Sequence, residues 1–128
     1  MIDRQKVYEK YDGRCAYCGN KIEFKKMQVD HLIPKALYSV KHDCLLVDAR
    51  KFTDFNLNDF PNLMPSCRRC NHYKRAYTLE DFRHVMKTLH ERVMKQYITK
   101  VAIDFGIVKI EPFNGSFYFE QVSIKEDK

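Results

Sequence analysis

The stretch Cys67-Arg68-Arg69-Cys70-Asn71-His72-Tyr73-Lys74-Arg75 repeats the cysteine spacing of an earlier one, Cys15-Ala16-Tyr17-Cys18-Gly19-Asn20. Two C-x-x-C pairs can bring four thiolates to one tetrahedral Zn²⁺. Gly19-Asn20 gives the first pair a turn and a helix start follows the second, so both sulfurs of each pair can face a single ion. Residues 19–66, the 48 residues between the pairs, exceed the needs of a short zinc ribbon, so further structure stands between the two knuckles. Unmetallated buried thiols, or a redox C-x-x-C, are the competing readings, and two matched pairs weigh against both. Cys44, the fifth cysteine, has no partner at ligand spacing and is assigned no role.

The rest of the composition sets the class. A chain of 128 residues, 45% hydrophobic and 31% charged, suits one globular domain, 1–128. No apolar run approaches the roughly 20 residues of a membrane span. Met1-Ile2-Asp3-Arg4-Gln5-Lys6 opens without a signal-peptide pattern, so a cytoplasmic protein away from the membrane is expected, and an odd cysteine count there is a poor basis for a disulfide framework. The formal charge is +6, and its distribution is informative. Residues 1–13 hold three basic and three acidic side chains, and residues 76–128 hold eight of each. Residues 14–75 hold twelve basic and six acidic, so the whole excess lies there. Such a segment attracts polyanions through counterion release, or is simply a solvated basic face.

Periodicity predicts a mixed α+β chain. Residues 4–11 read as a short helix ending before Gly13, and Ile22–Phe24 and Met27–Leu32 as short strands, the second stopped by Pro34. Residues 35–61 read as a long loop with one or two short helices, and 68–76 as a helix opening on the second knuckle. Leu79, Phe82, Met86, Leu89, Val93, Tyr97 and Val101 recur every three or four residues, which predicts one long amphipathic helix. Ile107–Glu111 and Phe117–Val122 flank Pro112-Phe113-Asn114-Gly115-Ser116, a pattern that predicts a C-terminal β-hairpin.

Between the cysteine pairs stand Val29-Asp30-His31-Leu32-Ile33-Pro34 and Asn62-Leu63. Hydrolysis of a phosphodiester needs a water, a base for its proton and a cation at the developing charge. An imidazole, with an ordinary pKa of about 6.5, can be that base at neutral pH. A carboxylate and an amide oxygen suit a hard ion such as Mg²⁺ or Mn²⁺. Adjacent strand residues face opposite ways, so Asp30 and His31 can serve one site only where the strand ends or twists. Asn71, Lys74 and Arg75 share a helix face, which would offer a metal ligand and two phosphate-binding cations. The plainer reading of Lys74 and Arg75 is a solvated face.

Taken together, Cys15/Cys18, Asp30-His31-Leu32-Ile33-Pro34, Asn62-Leu63, Cys67/Cys70, Asn71 and Lys74 resemble the zinc-bearing HNH endonucleases, whose pattern runs C-x-x-C, D-H-x-x-P, N-L, C-x-x-C-[HN]-x-x-K. The resemblance covers residues 10–77 as a nuclease core and leaves 78–128 as a helix-plus-hairpin extension. It implies a ββα-metal finger stapled by a structural Zn²⁺ on Cys15, Cys18, Cys67 and Cys70. It implies a DNA phosphodiesterase acting on double-stranded DNA, with His31 as general base and Asn62 bracing the loop that aims it. Asp30 and Asn71 would hold the catalytic Mg²⁺ or Mn²⁺. Asn71 stands where many members carry His, so the chain is an H-N-N variant, and His72 is a possible substitute ligand. Lys35, Arg68, Arg69, Lys74 and Arg75 would grip phosphates without reading sequence. The rival from another class is a non-catalytic zinc-ribbon module that binds nucleic acid.

Overall fold

The structure, a computed structural model, describes residues 2–34 and 57–126. Two strands run antiparallel, β1 (Gln28–His31) and β2 (Leu63–Ser66), in the register Gln28 with Ser66 and His31 with Leu63. All four residues of β2 are buried. Pro65 sits in this ladder at no cost. Its carbonyl accepts from the Ala16 amide at 2.8 Å, on the side away from β1, so the missing N–H also faces away from the partner strand. That bond ties the first cysteine pair to the strand that leads into the second.

Around the sheet lie α1 (Arg4–Glu9) and α2 (Arg68–Lys74). Asp3 caps α1 by accepting from the Gln5 and Lys6 amides, and the helix buries Val7. Val7, Tyr17, Ile22, Met27, Leu63 and Met64 are all buried in this core; burying an aliphatic or aromatic side chain contributes about 1.5–3 kcal/mol. The chain continues through α3 (Leu79–Lys87), α4 (Leu89–Met94), α5 (Tyr97–Asp104) and α6 (Tyr118–Glu126). Two compact units result, Met1–Leu79 with Phe117–Lys128, and Glu80–Ser116. In the second, Phe82 is buried and Arg83 Nη1 donates to the Gly115 carbonyl at 2.6 Å.

Three expectations are corrected. The C-terminal β-hairpin is absent: residues 107–117 form no strand, and 118–126 are helical. The cause is the first knuckle. The amides of Tyr118 and Phe119 donate to the carbonyls of Tyr17 and Ala16, while Phe117 and Phe119 set their rings edge-on to Tyr17. The two-residue spacing of those rings thus serves a helix start, and α6 belongs to the first unit. Gly19, at φ +79°, allows this approach, since a Cβ there would lie 2.8 Å from the Tyr118 ring. The long helix is three helices. Thr88 Oγ1 and Arg92 Nη2 both donate to the Val85 carbonyl, closing α3, and Gln96 is extended before α5. Ile22–Phe24 is not a strand; Phe24–Lys26 is a 3₁₀ turn, and only an isolated bridge, Arg14 with Lys21, flanks the knuckle.

Candidate metal centre and active site

Four sulfurs meet where the two cysteine pairs approach. The Sγ atoms of Cys15, Cys18, Cys67 and Cys70 all lie within 4.8 Å of one another, and Cys18 and Cys67 are 3.9 Å apart. A tetrahedron with Zn–S bonds of about 2.3 Å has edges of about 3.8 Å, so the spacing fits that ion. Each pair is shaped locally. The Gly19 amide returns to the Cys15 carbonyl at 3.0 Å, and the Cys70 amide donates to the Cys67 sulfur at 3.4 Å.

The electrostatics of the cluster suit a cation. A hydrogen bond with Cys70 drives the Cys15 thiol down to about 4. The same bond, with burial, holds Cys70 far above the ordinary thiol range. Burial, helped by the charge at Cys15, pushes Cys18 up to about 11. One thiolate is therefore accepted and the next are resisted. A bound divalent ion removes the conflict, because coordinated thiols give up their protons. The donor set could hold Zn²⁺.

At the far end of β1 the chemistry differs. Asp30 is 6% exposed, and its Oδ2 accepts from both the Tyr17 hydroxyl and the Lys74 ammonium, the latter at 3.0 Å. Burial and the Asp30 charge hold the Tyr17 phenol well above its usual range, so it stays protonated and donates. Lys74 is 0% exposed and also donates to the His31 carbonyl at 3.1 Å. This corrects its expected role: a lysine with no solvent exposure and two internal acceptors does not grip phosphate.

His31 is half-buried at the end of the strand, where its Nε2 lies 2.9 Å from Asn58 Oδ1. The buried Asn62 Oδ1 accepts from the Ile33 amide at 2.8 Å, and its Nδ2 donates to the Leu57 carbonyl at 2.8 Å. Its own carbonyl accepts from the Leu32 amide at 3.0 Å, extending the ladder past His31. Asn71 lies half-buried on α2, one turn before Lys74 on the same face, while His72 is exposed. Arg68, Arg69 and Arg75 are exposed on or just after that helix. Arg68 joins Lys21 and Lys26 along a groove of about 620 Å³ beside Cys67. Lys35 lies outside the described residues.

Sequence reasoning missed Tyr17, Asn58, Lys21 and Lys26. Tyr17 is an unmarked residue inside a knuckle, and Asn58 falls in a stretch with no periodicity. Lys21 and Lys26 stand out in the sequence only as part of the basic segment. No described helix is long and apolar enough to cross a membrane. No family model, curated protein or solved structure matches the chain.

Proposed function

We propose that the chain is an HNH endonuclease of the zinc-bearing type, hydrolysing phosphodiester bonds of double-stranded DNA. The observation that carries this reading is the Asn62 side chain, bonded to backbone at Leu57 and at Ile33, two residues beyond His31. That is the work the resemblance assigns to an amide at this point. The order β1, β2, α2 beside four clustered cysteines supports the ββα-metal finger in the same way. Zinc-held, reduced thiols suit a reducing compartment, and we place the protein in the cytosol.

In this reading His31 takes a proton from water. The oxygen of Asn58 can only accept, so that bond would hold the imidazole proton at Nε2 and leave the lone pair of Nδ1 to take the water's proton. Attack at phosphorus forms one P–O bond and breaks the bond to the 3′ oxygen. That oxygen leaves with a proton drawn from solvent, giving a 3′-hydroxyl and a 5′-phosphate. A positioned general base contributes about 10²–10⁴-fold. Arg68, Arg69 and Arg75 supply positive charge for the backbone.

Among the described residues the four cysteines are the one group of three or more His, Cys, Asp or Glu ligands that could hold an ion. The donor set at Asp30 is sparser. Mg²⁺ or Mn²⁺, which keeps waters and takes one or two carboxylates plus substrate phosphate, fits such a set, whereas Zn²⁺ does not. Asp30 and Asn71 would hold that ion, which supplies charge to the phosphoryl group and the leaving oxygen.

The Lys74 ammonium already neutralising Asp30 favours one second reading, a zinc-ribbon module that binds nucleic acid without cutting it. Nicking of supercoiled plasmid by zinc-loaded protein separates the two. Divalent-ion-dependent nicking that His31→Ala abolishes, with zinc content unchanged, is expected. Binding of plasmid with no nicking in Mg²⁺ or Mn²⁺ would establish the second reading.

A further inference from the structure

We propose that Lys74 is the residue that positions His31, so that the cysteine centre sets where the imidazole stands. The ammonium has three N–H donors. One goes to the Asp30 carboxylate at 3.0 Å and one to the His31 carbonyl at 3.1 Å. It thereby clamps the side chain of one β1 residue to the backbone of the next. A lysine with no exposure has no bulk water to bond, so its donors depend on these internal acceptors.

The anchors of the clamp lie on both knuckles. Lys74 belongs to α2, four residues after Cys70, and the Cys67 sulfur accepts from the first turn of that helix. Tyr17 lies between Cys15 and Cys18, is fixed by the edge-on rings of Phe117 and Phe119, and donates to the same Asp30 oxygen. Movement of either cysteine pair is therefore passed to Asp30 and to the His31 backbone. The other support of His31, Asn62, acts from the 3₁₀ turn before β2 and has no bond to the knuckles among those described. Lys74 is a positioning residue here, and this role rests on the nuclease reading above for its effect on cleavage.

The test uses the full-length, zinc-loaded protein with Lys74→Met, Lys74→Arg and Tyr17→Phe. Three quantities are read: single-turnover plasmid nicking, plasmid affinity, and hydrogen exchange of the Leu32 and Ile33 amides beyond His31. Lys74→Met is expected to keep one zinc per chain and plasmid affinity within about twofold, since its amine is buried away from DNA. Nicking at saturating plasmid should fall about 100-fold, the cost of roughly an ångström of misplacement. Exchange at Leu32 and Ile33 should quicken about tenfold, near the upper worth of one net hydrogen bond, while exchange at Ala16 and Cys70 stays put. Lys74→Arg, which keeps the charge, should recover part of the rate.

If Lys74→Met does not fold, Tyr17→Phe decides, since it removes one hydroxyl and keeps the ring packing. About threefold faster exchange at Leu32 and Ile33 supports the clamp; unchanged exchange overturns it. Weakened plasmid affinity with an unchanged saturated rate in Lys74→Met also overturns it, by returning Lys74 to phosphate binding. Absence of nicking by wild type would sink the nuclease reading alone, because the exchange measurement still judges the clamp.

Discussion

The two ends of the β1–β2 ladder carry opposite electrostatics. At the Gln28–Ser66 end the chain leads into a cysteine cluster in which Cys15 favours the thiolate while Cys18 and Cys70 resist a second negative charge. At the His31–Leu63 end a buried carboxylate comes with its own cation, Lys74, and its own donor, Tyr17. The first end could take an ion from solution to balance its thiolates. The second can fold without one, because its charge is balanced from within the chain. A frame with a donor set for a metal thus stands beside a carboxylate whose partners are side chains of the chain itself.

The comparison breaks most sharply at the cysteine end. Structural zinc contributes about 10 kcal/mol or more to folding at neutral pH, comparable with the whole stability of a domain. Cys67→Ser, or chelation, should leave the first unit without cooperative folding by circular dichroism. Thiols that hold their protons, Cys18 at about 11 and Cys70 higher, must release them to solvent as the ion binds, so zinc affinity should fall as pH falls. A folded, metal-free first unit would erase the contrast between the ends.

Lys74→Met should come next. Leaving Asp30 buried without its partner costs about 3–5 kcal/mol, read from urea unfolding of the zinc-loaded protein. A loss below about 1 kcal/mol, the range of exposed ion pairs, would mean that Asp30 does not rely on the ammonium. Asn62→Ala should cost about 1–3 kcal/mol by stranding the Ile33 amide. Its nicking rate should fall while plasmid affinity holds; equal rates would remove the brace. Smallest is Asn58→Asp. A carboxylate beside an imidazole favours the protonated ring, so the acid limb of the pH–rate profile should move up by at most about one unit. A profile that does not move would place the reacting proton elsewhere than His31.

The legibility of these regions follows from the range of the interactions involved. The cysteine centre is readable because ligand spacing is local, two residues between sulfurs in each pair. Asp30, His31 and Asn62 stand out through their order between the pairs, and β1 matches its expected strand to within a residue or two at each end. Lys74 is not legible because a Lys-Arg pair on a helix has the same pattern whether solvated or buried. Its burial is decided by Asp30, which is distant in sequence. Phe117 and Phe119 alternate as strand residues do, yet the first knuckle takes the Tyr118 and Phe119 amides, and the Phe117 amide donates to Glu120 Oε1. Thr88 and Gln96 interrupt a sound helical period through capping and backbone geometry that apolar spacing does not record.

Chemical rescue of the base tests the central claim most directly. His31→Gly, zinc-loaded and supplied with Mg²⁺, should nick plasmid very slowly, and added imidazole should restore nicking in proportion to its unprotonated concentration. Nicking by His31→Gly at the wild-type rate, with no response to imidazole, would contradict the assignment of His31 as the group that activates water.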